Sequence, residues 1–251
     1  MTHIIHGLHP IYQALKAHRN PVKKIIISRG NTRRPLKEIL RLAAERGISI
    51  QWAGRDNLTR MAKTTSHQGI VAQMDEFKYV EVSDIVQRWE ARGDKAFLLI
   101  VDGVEDPQNL GGLIRTAHAF GVHGIVIPKD RATPITPTVI KASVGAAFHT
   151  PIARVTNIAS CLEFLKKRGI WILGAEGGSE RPIYDCDLDL DLAVVIGSEG
   201  RGIRPLVKKK CDFLASIPLH GEITSLNASV AGALVMYEVL RGRLPVKGTH
   251  D

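Results

Sequence analysis

Three short segments of this 251-residue chain set polar side chains among glycines, a combination that lets backbone approach a ligand while a side chain acts on it. Segment 106–121, DPQNLGGLIRTAHAFG, carries Asn109, Gly111, Gly112 and Arg115 at the start of an apolar-periodic run. Asn109 is placed to cap a helix there, and Arg115 projects from its first turns. Segment 194–203, VVIGSEGRGI, is an apolar run ending in a turn with Gly197, Gly200 and Gly202 around Glu199. Amides of such a turn can face a ligand. The dinucleotide and phosphate-loop glycine patterns are absent, and a carboxylate inside the turn repels phosphate, so a nucleoside, amine or sulfonium suits it better. Segment 216–242 leads through Ile217, Gly221, Ser225, Leu226 and Asn227 into a long apolar run, with Asn227 or Ser225 as its cap. Each segment alone also reads as a capped helix or a plain strand-to-helix turn. Together they all follow predicted strands.

Strands and helices alternate along the chain, the pattern of α/β architecture. The first part predicts strands at 23–28, 48–53 and 69–74, with helices at 34–47 and 55–62. The second begins at 96–104, a continuous apolar strand of the kind buried on both faces of a parallel sheet. Further strands are predicted at 124–128, 151–155, 169–175, 192–197 and 215–219. Helices are predicted at 110–120, 137–144, 157–168, 204–210 and 227–242. The acidic stretch 76–94 reads as a linker with a helix at 83–92, between a domain at 1–75 and a domain at 95–251. The three segments thus lie at the strand-end side of the second domain, where open α/β sheets bind ligands. The helix at 227–242 is apolar nearly all round, which predicts burial, in part against a second subunit.

Charge divides unevenly. Residues 1–63 hold 13 Lys/Arg against 3 acids, residues 64–94 hold 3 against 6, and residues 95–251 hold 18 against 16. A basic module beside a near-neutral one points to a polyanion binder joined to something else. No apolar run is long enough to span a bilayer, and the chain opens with no signal-like apolar block, so a soluble, cytoplasmic protein is expected. Cys161, Cys186 and Cys211 lack metal spacing and are expected reduced and mostly buried. His3, His6 and His9 lack supporting ligands and read as a polar strand or turn, so no metal is expected.

In order and spacing, NLGGLIRTAHAFG, VVIGSEGRGI and SIPLHGEITSLNASVA resemble the three signature motifs of the SpoU/TrmH RNA 2′-O-methyltransferases of the SPOUT superfamily. HGLHPIYQAL and HQGIVAQ resemble, more loosely, the substrate-binding domain of RlmB-type enzymes. The resemblance implies a C-terminal SPOUT domain with a parallel sheet and a deep trefoil knot, which general topological rules would have argued against. It implies a small N-terminal α/β, ribosomal-protein-like, RNA-binding domain. It implies S-adenosylmethionine as methyl donor, held near Gly197, Ile217, Gly221 and Leu226, and a catalytic set of Asn109, Arg115, Glu199, Ser225 and Asn227. It implies a homodimer whose sites draw on both subunits. The implied reaction is ribose 2′-O-methylation of a guanosine in large-subunit ribosomal RNA. A tRNA ribose methyltransferase and a non-catalytic RNA-binding protein are the alternatives, the latter separable by donor-binding calorimetry. A guanidinium stays protonated in proteins, so Arg115 is read as a phosphate clamp and alkoxide stabiliser and not as the base.

Overall fold

The computed structural model describes residues 3–17, 21–30, 35–222 and 224–244. Arg34, the first residue of one predicted helix, and residues 245–251 of the predicted C-terminal domain lie outside them. The chain divides into two compact units, 1–78 with 134–149, and 79–133 with 150–251.

The first unit is a four-stranded mixed sheet in the order β1 (His3–His6), β4 (Ile70–Met74), β2 (Val22–Ser28), β3 (Ser49–Ala53). Helices α1 (Leu8–Lys16), α2 (Pro35–Glu45) and α3 (Arg55–Ala62) cover it. The β-branched run of β2 lies in the sheet centre with Ile25, Ile26 and Ile27 fully buried. Leu58 of α3 packs on Ile26 and Val71. Helix α1 is an element that the sequence reading does not assign. Its first turn is closed from 60 residues away, where the Gln68 side chain accepts from Leu8 N–H at 2.9 Å. Beside it, His67 is fully buried, with Nδ1 accepting from Gly69 N–H at 3.1 Å and Nε2 3.1 Å from Thr59 Oγ1. The His-Gln-Gly run is therefore a structural clasp. Helix α6 (Pro137–Ala142) also belongs to this unit.

The second unit carries a six-stranded sheet, all parallel, in the order β10 (Phe213–Ala215), β8 (Trp171–Ala175), β9 (Leu192–Gly197), β5 (Phe97–Asp102), β6 (Gly124–Pro128), β7 (Ile152–Val155). Every residue of β5, β6 and β9 is buried, as continuous apolar strands between two helical layers require. One layer includes α4 (Val82–Glu90) and α7 (Ile158–Lys166); Ile85, Val86 and Trp89 join the core formed with Leu98, Ile100 and Leu162. The stretch read as a linker thus contributes a core helix. The other includes α5 (Pro107–Ala119) and α9 (Ala228–Arg243), in contact where Leu113 meets Gly232. Helix α8 (Pro205–Lys208) is one turn, shorter than predicted.

The predicted strand at 215–219 is displaced. Pairing with β8 ends at Ala215, Ser216 bridges Pro182 instead, and residues 217–219 are in no strand. Pro218 has no N–H for a ladder, and Ile217 instead lines a cavity. The cysteines are free; Cys161 is buried and its thiol is pushed up to about 12 by desolvation, while Cys186 and Cys211 are half-buried.

Candidate active site

The site is built on the end of β9. Gly197 closes the strand, and the chain doubles back at once, with Ser198 N–H donating to Gly202 O at 3.1 Å and Gly202 N–H to Ser198 O at 2.9 Å. Gly200 and Gly202 take left-handed backbone (φ +80° and +65°) that disfavours any side chain. The returning strand passes so close that a Cβ on Gly197 would lie 2.2 Å from the Gly202 carbonyl carbon.

Two carboxylates from neighbouring strand ends pin this turn. Asp102, the fully buried last residue of β5, accepts from Arg204 N–H at 2.9 Å and from its Nε at 2.7 Å, and pairs with its Nη2 at 2.5 Å. Glu176, just past β8, accepts from Ile203 N–H at 3.4 Å and pairs with Lys208 at 3.1 Å. Neither carboxylate is among the residues predicted for the site. A signal for the second existed: GAEGG follows an apolar strand just as GSEGRG does.

In front of the turn opens a cavity of about 660 Å³, the size of a nucleoside-class ligand site. Gly177, Gly178, Gly197, Gly200 and Gly202 leave bare backbone around it, and Ile196, Ile217 and Leu226 give it apolar walls. Gly197, Ile217, Ser225 and Leu226, expected at the site from the sequence, line this cavity, with Glu199. Gly221 does not; it is an exposed turn residue of the same loop. Among the described residues Arg201 is the only cation on the lining, and Glu199 and Glu176 are also there, so the cavity suits a nucleoside bearing positive charge and not a polyphosphate.

At the rim, three predicted residues meet although 90 and 28 positions separate them. Asn109 Nδ2 donates to Glu199 Oε2 at 3.3 Å, and Asn227 Nδ2 donates to Asn109 Oδ1 at 2.8 Å and to Glu199 Oε2 at 3.3 Å. Asn227 Oδ1 caps α9, accepting from Ser229 N–H at 3.0 Å and Val230 N–H at 3.4 Å. Asn109 does not cap α5. Asp106 does, accepting from Gln108 and Asn109 N–H at 2.6 and 2.9 Å, with Pro107 at the first helical position. That correction frees the Asn109 amide for the site. One Glu199 oxygen remains without a partner among the described residues, available to a ligand hydroxyl or cation.

Arg115 stands apart. It is exposed on α5, off the cavity lining, and its side chain makes no ion pair or hydrogen bond among the described residues. Six residues separate it from Asn109, roughly 9 Å along the helix and about 240° around it. Beside α5, helix α9 exposes Val230, Leu234 and Tyr237, a one-sided apolar stripe, with Tyr237 against Phe120 at 6.2 Å between ring centroids. Among the described residues no group of three or more His, Cys, Asp or Glu could hold a metal ion, and no helix is long and apolar enough to cross a membrane.

The profile of the SpoU rRNA Methylase family matches residues 96–237, and the profile for RNA 2′-O ribose methyltransferase substrate binding matches residues 4–80. YacO of Bacillus subtilis, assigned to the TrmH family of tRNA/rRNA methyltransferases, is 46% identical over 240 residues, covering 96% of each chain. A Staphylococcus aureus protein of the same assignment is 40% identical over the same span, again 96% of each. Among solved structures, the SpoU methyltransferase AviRb of Streptomyces viridochromogenes, in complex with AdoMet, superposes with TM-score 0.81 at 24% identity, over 96% of this chain and 90% of that one. An AdoMet-bound rRNA methyltransferase of Sinorhizobium meliloti gives 0.81 at 22% identity, over 97% and 88%.

Proposed function

The chain belongs to the SpoU rRNA methylase family, and from that premise we propose that it methylates a ribose 2′-hydroxyl of RNA, at a guanosine of large-subunit ribosomal RNA, with S-adenosylmethionine as donor. The observation that carries the reading is the hydrogen-bonded set Asn109–Glu199–Asn227 on the rim of a glycine-lined cavity that favours a cationic nucleoside. The match of residues 4–80 to a substrate-binding profile, with its basic charge, supports an RNA target, and the choice of ribosomal RNA over tRNA is part of the proposal. We place the protein in the cytoplasm, and its C-terminal chain in the trefoil knot that the family implies.

S-adenosylmethionine, when bound, would supply an electrophilic methyl on a cationic sulfur. Gly197, Gly200 and Gly202 present bare backbone to its nucleoside, and Ile217 and Leu226 its apolar walls. Glu199, fixed by two amides, keeps one oxygen to orient the ribose hydroxyl, and Ser225 adds a hydroxyl to the cavity lining. Alignment of this kind is the largest available contribution, up to about 7–11 kcal/mol. Arg115 clamps a phosphate and stabilises charge developing on the oxygen; the proton passes to water or phosphate. Because Arg115 lies off its own cavity while an apolar stripe flanks it, the working form is a homodimer in which Arg115 serves the site of the second copy.

The test is incubation with ribosomal RNA lacking the modification and labelled donor, followed by mapping of 2′-O-methyl groups. One labelled guanosine in the large-subunit RNA is expected. Label only in tRNA, or only on a base, would overturn the assignment.

A further inference from the structure

The second unit holds another cleft, about 450 Å³, at the carboxyl ends of β6 and β7, the sheet edge opposite β10. Its cations are Lys129 and Arg154. Lys129 follows β6 directly, and its N–H is fixed by Val155 O at 2.8 Å. Its side chain is exposed and has no partner among the described residues. Arg154 donates through Nη2 to the Lys129 carbonyl at 2.8 Å and lies over the Tyr79 ring at 5.7 Å, but forms no ion pair among the described residues. Its Nε is shut off from solvent with no hydrogen-bond acceptor among the described residues. Ser83 and Ser160 add hydroxyls, and Phe164 an apolar wall. Among the described residues Glu81 is the one carboxylate on the lining, so the cleft is net positive there.

We propose that this cleft binds a phosphodiester group of the RNA substrate, flanking the nucleotide presented at the methyl-donor cavity. The inference rests on the RNA-methylation reading above. The geometry suits it: donor cavity and cleft open on the same carboxyl edge of one sheet. Strands β9 and β7 are three positions apart in that sheet, roughly 14 Å at about 4.8 Å per strand, a span that a few nucleotides of single strand can bridge. A contact of this kind positions RNA without reading its sequence.

The test is anisotropy of a labelled ribosomal RNA fragment, without donor, from about 50 to about 200 mM KCl, for wild type, Lys129→Ala and Lys129→Glu. Loss of one phosphate contact should lower the slope of log Kd against log salt by about 0.7–0.9, a difference of about threefold in Kd across that range. Lys129→Glu should weaken binding further, and calorimetric affinity for S-adenosylmethionine should not change in either variant. Unchanged slope and Kd in both variants would overturn the subsite. So would a case in which inorganic phosphate raises the melting temperature of wild type but not of Lys129→Glu while RNA binding stays equal, since the cleft would then serve a free anion. A wild-type protein that binds RNA at no salt concentration would overturn the RNA-methylation reading itself, and the subsite with it.

Discussion

Gly197→Ala should disable the donor site through backbone sterics alone. The added Cβ would sit 2.2 Å from the Gly202 carbonyl carbon and 2.4 Å from both the Gly202 oxygen and the Ile203 nitrogen. All three are backbone atoms, so no side chain can rotate away. Ordinary carbon contact is about 3.5–4.0 Å, and the turn must retreat by roughly 1.3 Å or more. Asp102 and Glu176 hold the segment from behind and resist that retreat. The cost falls at the upper end of overpacking, about 3 kcal/mol, or a fall in Tm of about 6–12 °C for a chain of this size. The same retreat carries Glu199 away from Asn109 and Asn227, and a misplacement of about 1 Å costs on the order of 10²-fold in rate. Thermal melting, donor calorimetry and single-turnover methylation read the three effects. Gly200→Ala is the control: a Cβ there meets open space, and only its φ of +80° is strained, about 1–2 kcal/mol. The reasoning fails if Gly197→Ala melts within about 2 °C of wild type and binds donor normally, or if Gly200→Ala is equally damaging.

Three more outcomes follow from the same geometry. Arg115→Lys keeps a charge but loses the planar fork, so methylation should fall at least about 10²-fold with donor affinity intact; near-normal turnover rules out the clamp. Leu234→Glu, in the centre of the exposed α9 stripe, should convert the proposed dimer to monomers in sedimentation analysis and abolish turnover, whereas a variant that stays dimeric places the interface elsewhere. Folding stability should drop as pH falls below 6.5, because burial above all holds His123 below that value despite the opposing pull of Asp94. Its Nδ1 accepts Phe97 N–H at 3.0 Å and its Nε2 faces Asp94 at 3.0 Å, so the folded ring stays neutral while the unfolded chain takes up the proton. An NMR titration midpoint for His123 at or above 6.5 contradicts this.

Elements defined by local pattern are legible in the sequence: β6 and β9 occupy the predicted 124–128 and 192–197, because strands buried on both faces must be apolar at every position. Local reading fails where the deciding partner is distant. Helix α1 depends on Gln68, and the end of β10 on the loop that leaves the sheet to wall a cavity. The Asp106 cap is a different failure: Asp caps a helix as well as Asn does, and Pro107 at the first helical position marks Asp106 as the cap. Most telling is the rim of the site. Asn109, Glu199 and Asn227 sit at three loops whose individual sequences read equally well as caps and turns. Nothing within any one loop specifies that their amides and carboxylate meet. What brings them together is the order of the strands, β9 beside β5, and the contact of α9 with α5, where Gly112 leaves room for Ser229 two residues past Asn227. Gly112 is therefore as much a condition of the site as the polar residues: a Cβ there would press on Ser229 at 3.0 Å, against the same turn that Asn227 caps.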